Sequence, residues 1–261
     1  MKIYCCQHDI EWENKPANFA RVRKLIAKAK PEHGSLVLLP EMFATGFTMN
    51  VASAAEGAAG ETAGFLSATA RELGVHLLAG VIGRAPDGRG RNQAVVFSPD
   101  GRGLAHYTKL QPFVPGGEAE HYAAGDRIVT FQWQGVTVAP FICYDLRFPE
   151  VFRHAAQASR PQLMTVIASW PEARIEHFVK LVQARAIENQ CYVAGVNRIG
   201  SDPQFNYTGR TLIADFMGKV VADAGKRECV IKAKLDLAKL AEYRAALPFL
   251  NDMRTDFVRR L

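Results

Sequence analysis

Hydrophobic and polar positions in the first half of the chain alternate between short apolar runs and amphipathic stretches. Apolar side chains recur at spacings of three and four over residues 17–30, which predicts a helix, and Pro16 stands where its first turn begins. A second helix is predicted over 62–73, and the Ala- and Gly-rich segment 52–64 is expected to form a surface loop. Strands are predicted at 3–7, 36–39, 75–83, 92–98 and 103–108.

The second half of the chain repeats this style. Helices are predicted at 149–158, 172–189 and 237–246. Strands are predicted at 135–143, 162–169, 192–197, 209–216, 219–224 and 229–235, and the tail after Pro248 is expected to be extended.

The order of these elements mixes strand–helix–strand units with tight hairpins at Asp87-Gly88 and Asp100-Gly101. A purely parallel sheet would not contain so many tight turns. We therefore predict an α/β protein with two mixed sheets packed face to face and helices outside. No linker or internal repeat divides the sequence, so a single domain over residues 1–261 is expected.

Composition is that of an ordinary globular protein, with 48% hydrophobic and 22% charged residues. No run approaches the ~20 apolar residues of a membrane helix, and the first residues do not resemble a signal peptide. We expect a soluble, cytoplasmic protein without a membrane partner. The net charge of +6 comes from Lys and Arg spread along the chain, whereas a nucleic-acid-binding protein concentrates them in one stripe.

Five cysteines occur in the sequence, at positions 5, 6, 143, 191 and 229. Their number is odd and no pair has the C-x-x-C spacing, so neither a disulfide framework nor a metal site is expected. Cys5 and Cys6 lie on a predicted strand and should point to opposite faces. Cys143 alone has chemically useful polar neighbours.

Three reactive or charged residues follow predicted strands. Glu41 follows the predicted strand 36–39. Lys109 directly follows the strand 103–108, and Cys143 is the last residue of the strand 135–143. Active sites of layered α/β proteins are commonly built at strand ends. Each residue alone is compatible with an ordinary structural role, but one mechanism uses all three types together.

That mechanism is hydrolysis of a carboxamide. A Cys thiolate is a strong nucleophile, and Glu41 could take the proton of the Cys143 thiol and pass it to the leaving amine. Lys109 and the backbone N–H of Tyr144 could stabilise the oxyanion of the tetrahedral intermediate. No metal or organic cofactor is required.

The segment around Cys143 predicts a tight strand-to-helix turn that presents the thiol, because Pro149 opens the following helix. Asp145 and Arg147 lie two residues apart in this turn. We expect a salt bridge that organises the loop, either between them or with neighbours.

These residues resemble the carbon–nitrogen hydrolase (nitrilase) superfamily. The resemblance rests on Leu-Leu-Pro-Glu-Met-Phe around Glu41, Tyr-Thr-Lys-Leu around Lys109 and Ile-Cys-Tyr-Asp-Leu-Arg-Phe-Pro-Glu around Cys143, and it extends over essentially the whole chain. It implies a four-layer α-β-β-α sandwich, a homodimer or larger homo-oligomer, and a Glu-Lys-Cys triad. Within the superfamily the chain looks most like the omega-amidases, which implies a small 2-oxo acid amide as substrate.

The resemblance also implies further site residues. A second glutamate follows the lysine in the family, and Glu118 fits that place best, with Glu120 near enough to compete. Phe113 and Trp170 are expected to wall the pocket beside Tyr144. The far carboxylate of an omega-amide must meet a cation, and the candidates by residue type are Arg198, Arg174 and Arg147. We assign the substrate contact to Arg198, and Arg147 is the weakest of the three.

Two kinds of alternative remain open at this point. A nitrilase or an N-carbamoyl amide hydrolase of the same superfamily would carry the same triad. A protein of another class, a non-enzymatic binding protein on the same fold, would be expected to have a damaged triad, whereas all three residues are present here.

Overall fold

A computed structural model describes residues 1–254 of the 261-residue chain. Its helices are α1 Lys15–Ala29, α2 Val51–Ala54, α3 Glu61–Leu73, α4 Glu118–His121, α5 Pro149–Ser159, α6 Ile175–Asn189 and α7 Leu237–Ala246. Its strands are β1 Lys2–Gln7, β2 Leu36–Leu38, β3 His76–Arg84, β4 Gly90–Phe97, β5 Gly103–Thr108, β6 Phe131–Trp133, β7 Val136–Ile142, β8 Leu163–Ala168, β9 Tyr192–Asn197, β10 Ile199–Ser201, β11 Asn206–Thr208, β12 Leu212–Ala214, β13 Val220–Asp223 and β14 Cys229–Lys234.

The long strands form two six-stranded mixed sheets. The first has the order β14-β1-β2-β3-β4-β5 and the second has the order β13-β12-β9-β8-β7-β6. In each sheet three central strands are parallel, β1 to β3 and β7 to β9, and antiparallel strands flank them. A separate hairpin of β10 and β11 completes the set.

The layers follow from which faces the sheets bury. Side chains from both sheets share one core, to which β1 contributes Ile3 and Cys5. The other face of β1, with Tyr4 and Cys6, packs instead with apolar residues of α1 and α3. Helices α5 and α6 cover the second sheet. The structure is thus a four-layer α-β-β-α sandwich, and the predicted fold class is confirmed.

Local sequence determines where the outer helices begin and end. The side chain of Asn14 accepts a hydrogen bond from the backbone N–H of Ala17, which satisfies one of the free donors at the start of α1. Gly74 ends α3 in the left-handed conformation, with φ of 61°, a conformation that glycine adopts without steric cost. The predicted ends of α1 and α3 therefore lie within two residues of the observed ones.

Two sequence predictions are corrected by the structure. The segment 52–64 is not a loop throughout, because alanines favour the short helix α2 and the Glu56 side chain accepts from Thr62 N at the start of α3. The strand predicted over 209–216 shortens to β12, because Arg210 has φ of 60° and the Asp215 carboxylate accepts backbone N–H bonds of a turn.

Three short strands and the tail also differ from the sequence predictions. Strands β6, β10 and β11 are three residues long each, which is too short for a period-two pattern to emerge. The tail after Pro248 begins with a turn over 249–251, and its part beyond residue 254 lies outside the described residues. Within residues 1–254, no helix is both long and apolar enough to cross a membrane.

His8 follows β1 and supplies a test of the fold by pH. Burial, together with the nearby charge of Arg198, lowers the pKa of His8 to about 3, although Glu228 acts in the opposite direction. The unfolded chain binds a proton at His8 below about pH 6.5 and the folded chain does not, so folding stability is lost as pH falls from 6.5 towards 3.

Between pH 6.5 and 4, the free energy of unfolding of the natural protein should fall by about 3 kcal/mol because of His8. We predict that this contribution to the fall is missing in His8→Leu, measured by urea unfolding at a series of pH values. Only the pH dependence is compared, since the substitution also changes packing. His106→Leu is the control, because His106 is exposed on β5. An unchanged pH dependence in the His8 variant would contradict the assignment.

Candidate active site

The ends of three strands bring Glu41, Lys109 and Cys143 to one place between the sheets. Glu41 follows β2 after two residues, and Lys109 and Cys143 are the residues directly after β5 and β7. Strands β2 and β5 belong to the first sheet and β7 to the second. The site therefore forms only when the two sheets pack face to face.

Glu41 reaches this position because the chain runs unusually close to β3. A Cβ atom built on Gly80 would lie 2.5 Å from both Glu41 Cα and Met42 N, so only glycine allows this approach. Two backbone hydrogen bonds fix it, from Gly80 N to Pro40 O at 3.1 Å and from Phe43 N to Gly80 O at 3.2 Å.

The Glu41 carboxylate is fully buried and accepts three hydrogen bonds. Oε1 accepts from Lys109 Nζ at 3.0 Å and from Asn92 Nδ2 at 2.7 Å. Oε2 accepts from the backbone N–H of Ser169 at 2.7 Å. This group is held as an acceptor, which suits a general base.

Lys109 is a buried ammonium shared by two carboxylates. Its Nζ lies 3.0 Å from Glu41 Oε1 and 2.7 Å from Glu118 Oε2, and its side chain is 2% exposed. Burial by itself lowers the pKa of Lys109, but the charges of Glu118 and Glu41 more than reverse this and hold it above the ordinary value. The ammonium therefore stays protonated, and one of its three N–H groups is left for a further acceptor.

Glu118, and not Glu120, is the second carboxylate of the cluster. Glu118 is fully buried at the start of α4, and its Oε2 also accepts from Phe113 N at 2.6 Å. Glu120 is exposed. Of the two glutamates suggested by the family resemblance, the geometry therefore selects Glu118, the one that fitted best.

Asn92 is a site residue that sequence reasoning missed. Its Nδ2 donates to Glu41 Oε1 and to Glu118 Oε1, both at 2.7 Å. In sequence it is one polar residue at the start of a predicted strand, a position that is usually exposed. No pattern along the chain indicated that it lies between two carboxylates.

Cys143 stands at a tight turn between β7 and α5, as predicted. Its φ is +45°, a conformation that is strained for a residue with a side chain, and a 3₁₀ turn over Cys143–Arg147 follows. This geometry turns the thiol away from the sheet and into a cavity, which is the arrangement of a nucleophile elbow.

Among residues 1–254, neither Asp145 nor Arg147 forms a salt bridge, so the one expected between them or with neighbours is not found and this prediction is corrected. Asp145 is fully buried and accepts instead from Tyr107 Oη at 2.7 Å and from the backbone N–H groups of Ile142 and Gln111 at 3.0 and 2.9 Å. Burial raises the pKa of Asp145 to about 6, against the opposing effect of these donors. Asp145 thus ties the nucleophile turn to the end of β5 with neutral partners.

The thiol of Cys143 is protonated at rest. Burial raises its pKa well above the ordinary value, Glu41 raises it further, and Lys109 lowers it. The site thus disfavours a thiolate before attack, which favours loss of the proton as the sulfur attacks. The neighbouring Glu41 is the acceptor that the site provides.

Cys143 opens into a cavity that is connected to the solvent. Three of the predicted pocket residues line it: Phe113, Tyr144 and Trp170. The remaining lining residues are Phe47, Arg147, Ser169, Pro171, Arg174 and Phe205. The Phe113 and Tyr144 rings meet edge to face at 5.0 Å, so one wall of the cavity is aromatic.

Arg198 does not line this cavity, and its assignment to the substrate carboxylate is revised. Its guanidinium is fully buried elsewhere, where it donates to the carbonyl oxygens of Ile10, Ile199 and Ser201 at 2.9–3.1 Å. The ring of Tyr207 lies 4.5 Å beneath it. These partners hold Nε and Nη2 of Arg198, while its Nη1 is buried without a hydrogen-bond partner among residues 1–254.

Arg147 and Arg174 are the two cations of the cavity. Arg147 lies over the Trp170 ring at 4.7 Å and Arg174 over the Phe113 ring at 5.8 Å. Among residues 1–254, neither has a carboxylate within 4.0 Å. Two guanidinium groups without counter-ions therefore face the space beside the nucleophile.

Comparison with known proteins decides the family. The model of the carbon–nitrogen hydrolase family matches residues 2–245. The chain belongs to the carbon–nitrogen hydrolase family. It is therefore a hydrolase that acts on amide carbon–nitrogen bonds, and the resemblance drawn from the sequence is confirmed.

Relatives of this carbon–nitrogen hydrolase are similar over nearly their whole length. A 2-oxoglutaramate amidase of Bacillus subtilis is 32% identical, with 97% of this chain and 98% of that protein covered. Omega-amidases of Yersinia enterocolitica and Escherichia coli K12 are 35% and 33% identical, with 97% of this chain and 96% of each relative covered.

A solved structure supports the same grouping. A carbon–nitrogen hydrolase superfamily protein of Xanthomonas campestris, which carries an arsenic adduct in its active site, is 32% identical with a TM-score of 0.92. The match covers 98% of this chain and 97% of that one. The four-layer sandwich of this carbon–nitrogen hydrolase is thus the fold of its family.

We predict that Cys143→Ala abolishes amide hydrolysis and that Cys143→Ser is nearly as inactive, because a serine hydroxyl is far harder to deprotonate than a thiol. Ammonia release measures both. Cys229→Ser is the control, because Cys229 lies in β14, away from the cavity. Substantial turnover by either Cys143 variant would contradict the role of this thiol.

Proposed function

We propose that this enzyme hydrolyses the terminal carboxamide of a small 2-oxo acid omega-amide to the acid and ammonia, through a thioester on Cys143. The observation that carries this proposal is the pair of guanidinium groups, Arg147 and Arg174, in the cavity beside Cys143. The names of the omega-amidase and 2-oxoglutaramate amidase relatives point to the same substrate class.

The first step couples proton transfer to attack. Glu41 takes the proton from the Cys143 sulfur as that sulfur bonds to the amide carbon, and the carbonyl π electrons move onto oxygen. This oxyanion meets the third N–H of Lys109 and the backbone N–H of Tyr144. One such donor is worth on the order of 10²–10³ in rate.

The second half of the reaction releases both products. The oxyanion collapses, the carbon–nitrogen bond breaks, and Glu41 returns its proton to the departing nitrogen, so that ammonia leaves and a thioester remains. Water then gives a proton to Glu41 and attacks the thioester carbon. Collapse of this second intermediate frees the acid and returns the proton to sulfur.

The cavity matches a short substrate with an anionic end. Aromatic side chains would pack against its carbon chain, and a guanidinium would bind the carboxylate by two parallel hydrogen bonds. An arginine with no protein counter-ion retains its full attraction for such a ligand. Of the three arginines considered from sequence, we assign this role to Arg174 and Arg147.

Oligomerisation and location are further parts of the proposal. Ile187 on α6 and Met217, in the turn packed against it, are 46% and 58% exposed, as Leu247 is at 51%. We propose that a second copy of the chain covers such apolar side chains in a homodimer or larger homo-oligomer. A cytoplasmic location would suit an enzyme whose nucleophile must stay reduced.

We predict ammonia release from 2-oxoglutaramate and 2-oxosuccinamate, with kcat/KM at least tenfold above that for simple nitriles and N-carbamoyl amines. The nitrilase and N-carbamoylase alternatives predict the opposite order, and a binding protein predicts no turnover of any compound. Failure on every omega-amide together with turnover of a nitrile would reject the proposed substrate class.

We further predict that Arg174→Met raises KM for 2-oxoglutaramate about tenfold or more, since a hydrogen bond to a charged group contributes roughly 1.5–3 kcal/mol. An uncharged amide of similar length should lose much less. Arg127→Met is the control, because Arg127 is 78% exposed and pairs with Asp126 away from the cavity. Equal losses for charged and uncharged amides would contradict the assignment.

A further inference from the structure

Asn92 touches three of the four residues of the proposed machinery. It is the third residue of β4 and is 1% exposed. Its backbone oxygen accepts from Lys109 N at 2.9 Å, and its amide nitrogen donates to Glu41 and Glu118 at 2.7 Å each. Carboxylate oxygens only accept, so the nitrogen of the amide must be the atom that faces them.

The other half of this amide has no partner. Asn92 Oδ1 is buried and lacks a hydrogen bond among the described residues. A buried polar atom without a partner destabilises a fold, and such atoms are uncommon in native structures. Packing alone would favour a smaller apolar residue at this position, so the reason for an asparagine lies with its two donors.

Those donors act in a cluster with an excess of negative charge. Glu41 and Glu118 together carry two negative charges against the single positive charge of Lys109. A second cation in place of Asn92 would neutralise the cluster and make Glu41 a weaker base. A neutral donor satisfies one lone pair on each carboxylate and leaves the net charge at −1.

The same donors also leave part of Lys109 free. An ammonium has three N–H groups, of which Glu41 and Glu118 each take one. Without Asn92, Oε1 of Glu118 would lack a donor and could turn towards Lys109. The N–H assigned to the oxyanion would then be lost.

We propose that Asn92 is a positioning residue that holds the Glu41 carboxylate aligned to receive the proton of Cys143. This inference rests on the proposed cysteine chemistry but not on the identity of the substrate. The ionisable groups that surround Glu41 are Lys109, Glu118 and Cys143, with the phenols of Tyr122 and Tyr207 also close enough to act on it electrostatically.

The test measures alkylation of Cys143 by iodoacetamide against pH, followed by mass spectrometry of the Cys143 peptide. This needs no substrate, so it succeeds or fails independently of the omega-amidase assignment. In the natural protein the rate should rise with pH as the sulfur loses its proton more readily. In Asn92→Ala the carboxylate that receives this proton loses a donor, so this rise should move to higher pH by about half a unit or more, with a rate reduced about threefold or more at low pH.

Asn92→Asp tests the same inference with nearly unchanged shape. The introduced carboxyl must hold a proton to donate a hydrogen bond, and its ionisation would place a third negative charge in the cluster. The ratio of its alkylation rate to that of the natural protein should therefore fall as pH rises. A purely structural role would give a ratio that does not vary with pH.

Gln93→Ala is the matched control, because Gln93 is the next residue of β4 and bonds to Thr108 Oγ1 on the other face of the sheet. Its alkylation profile should equal that of the natural protein. Circular dichroism and thermal melting establish that each variant is folded. Profiles for Asn92→Ala and Asn92→Asp that keep the position and shape of the natural one would overturn the proposal, whichever amide the enzyme hydrolyses.

Discussion

The ion cluster of Lys109 with Glu41 and Glu118 is the constraint on which the structure of the site depends. Three charges removed from water are tolerated only if they are paired at close range and their remaining lone pairs are bonded. The distances of 2.7 and 3.0 Å from the ammonium meet the first condition. The backbone N–H groups of Phe113 and Ser169 and the amide of Asn92 meet the second.

The two-sheet architecture makes such a cluster possible. Strand ends β2, β4 and β5 of the first sheet supply Glu41, Asn92 and Lys109, while the second sheet supplies Ser169 after β8 and Cys143 after β7. Neither sheet alone could surround the charges. The close approach at Gly80 and the bonds of Asp145 to Tyr107 and Ile142 then set these ends at fixed spacing.

Sequence reasoning recovered the fold class and three of these residues because each carries a local signal. Glu41, Lys109 and Cys143 follow apolar runs that are recognisable as buried strands. The role of Asn92, and the burial of Arg198 against backbone carbonyls, depend on contacts between segments far apart in the chain, as from Asn92 to Glu41 or Arg198 to Ile10. Residue type and spacing carry no information about such contacts, so these two could not be placed from sequence.

Burial of Cys143 links deprotonation of its thiol to the binding of substrate. Burial raises the pKa of the Cys143 thiol, which disfavours the nucleophilic thiolate before substrate binds. In the proposed mechanism, an amide carbonyl oxygen against Lys109 would lower the cost of charge on the reacting atoms and thereby favour proton transfer to Glu41. The Glu41 carboxylate, which adds to the effect of burial on the pKa of the thiol, is also the proposed base, so in this mechanism one group both disfavours the resting thiolate and enables the attack.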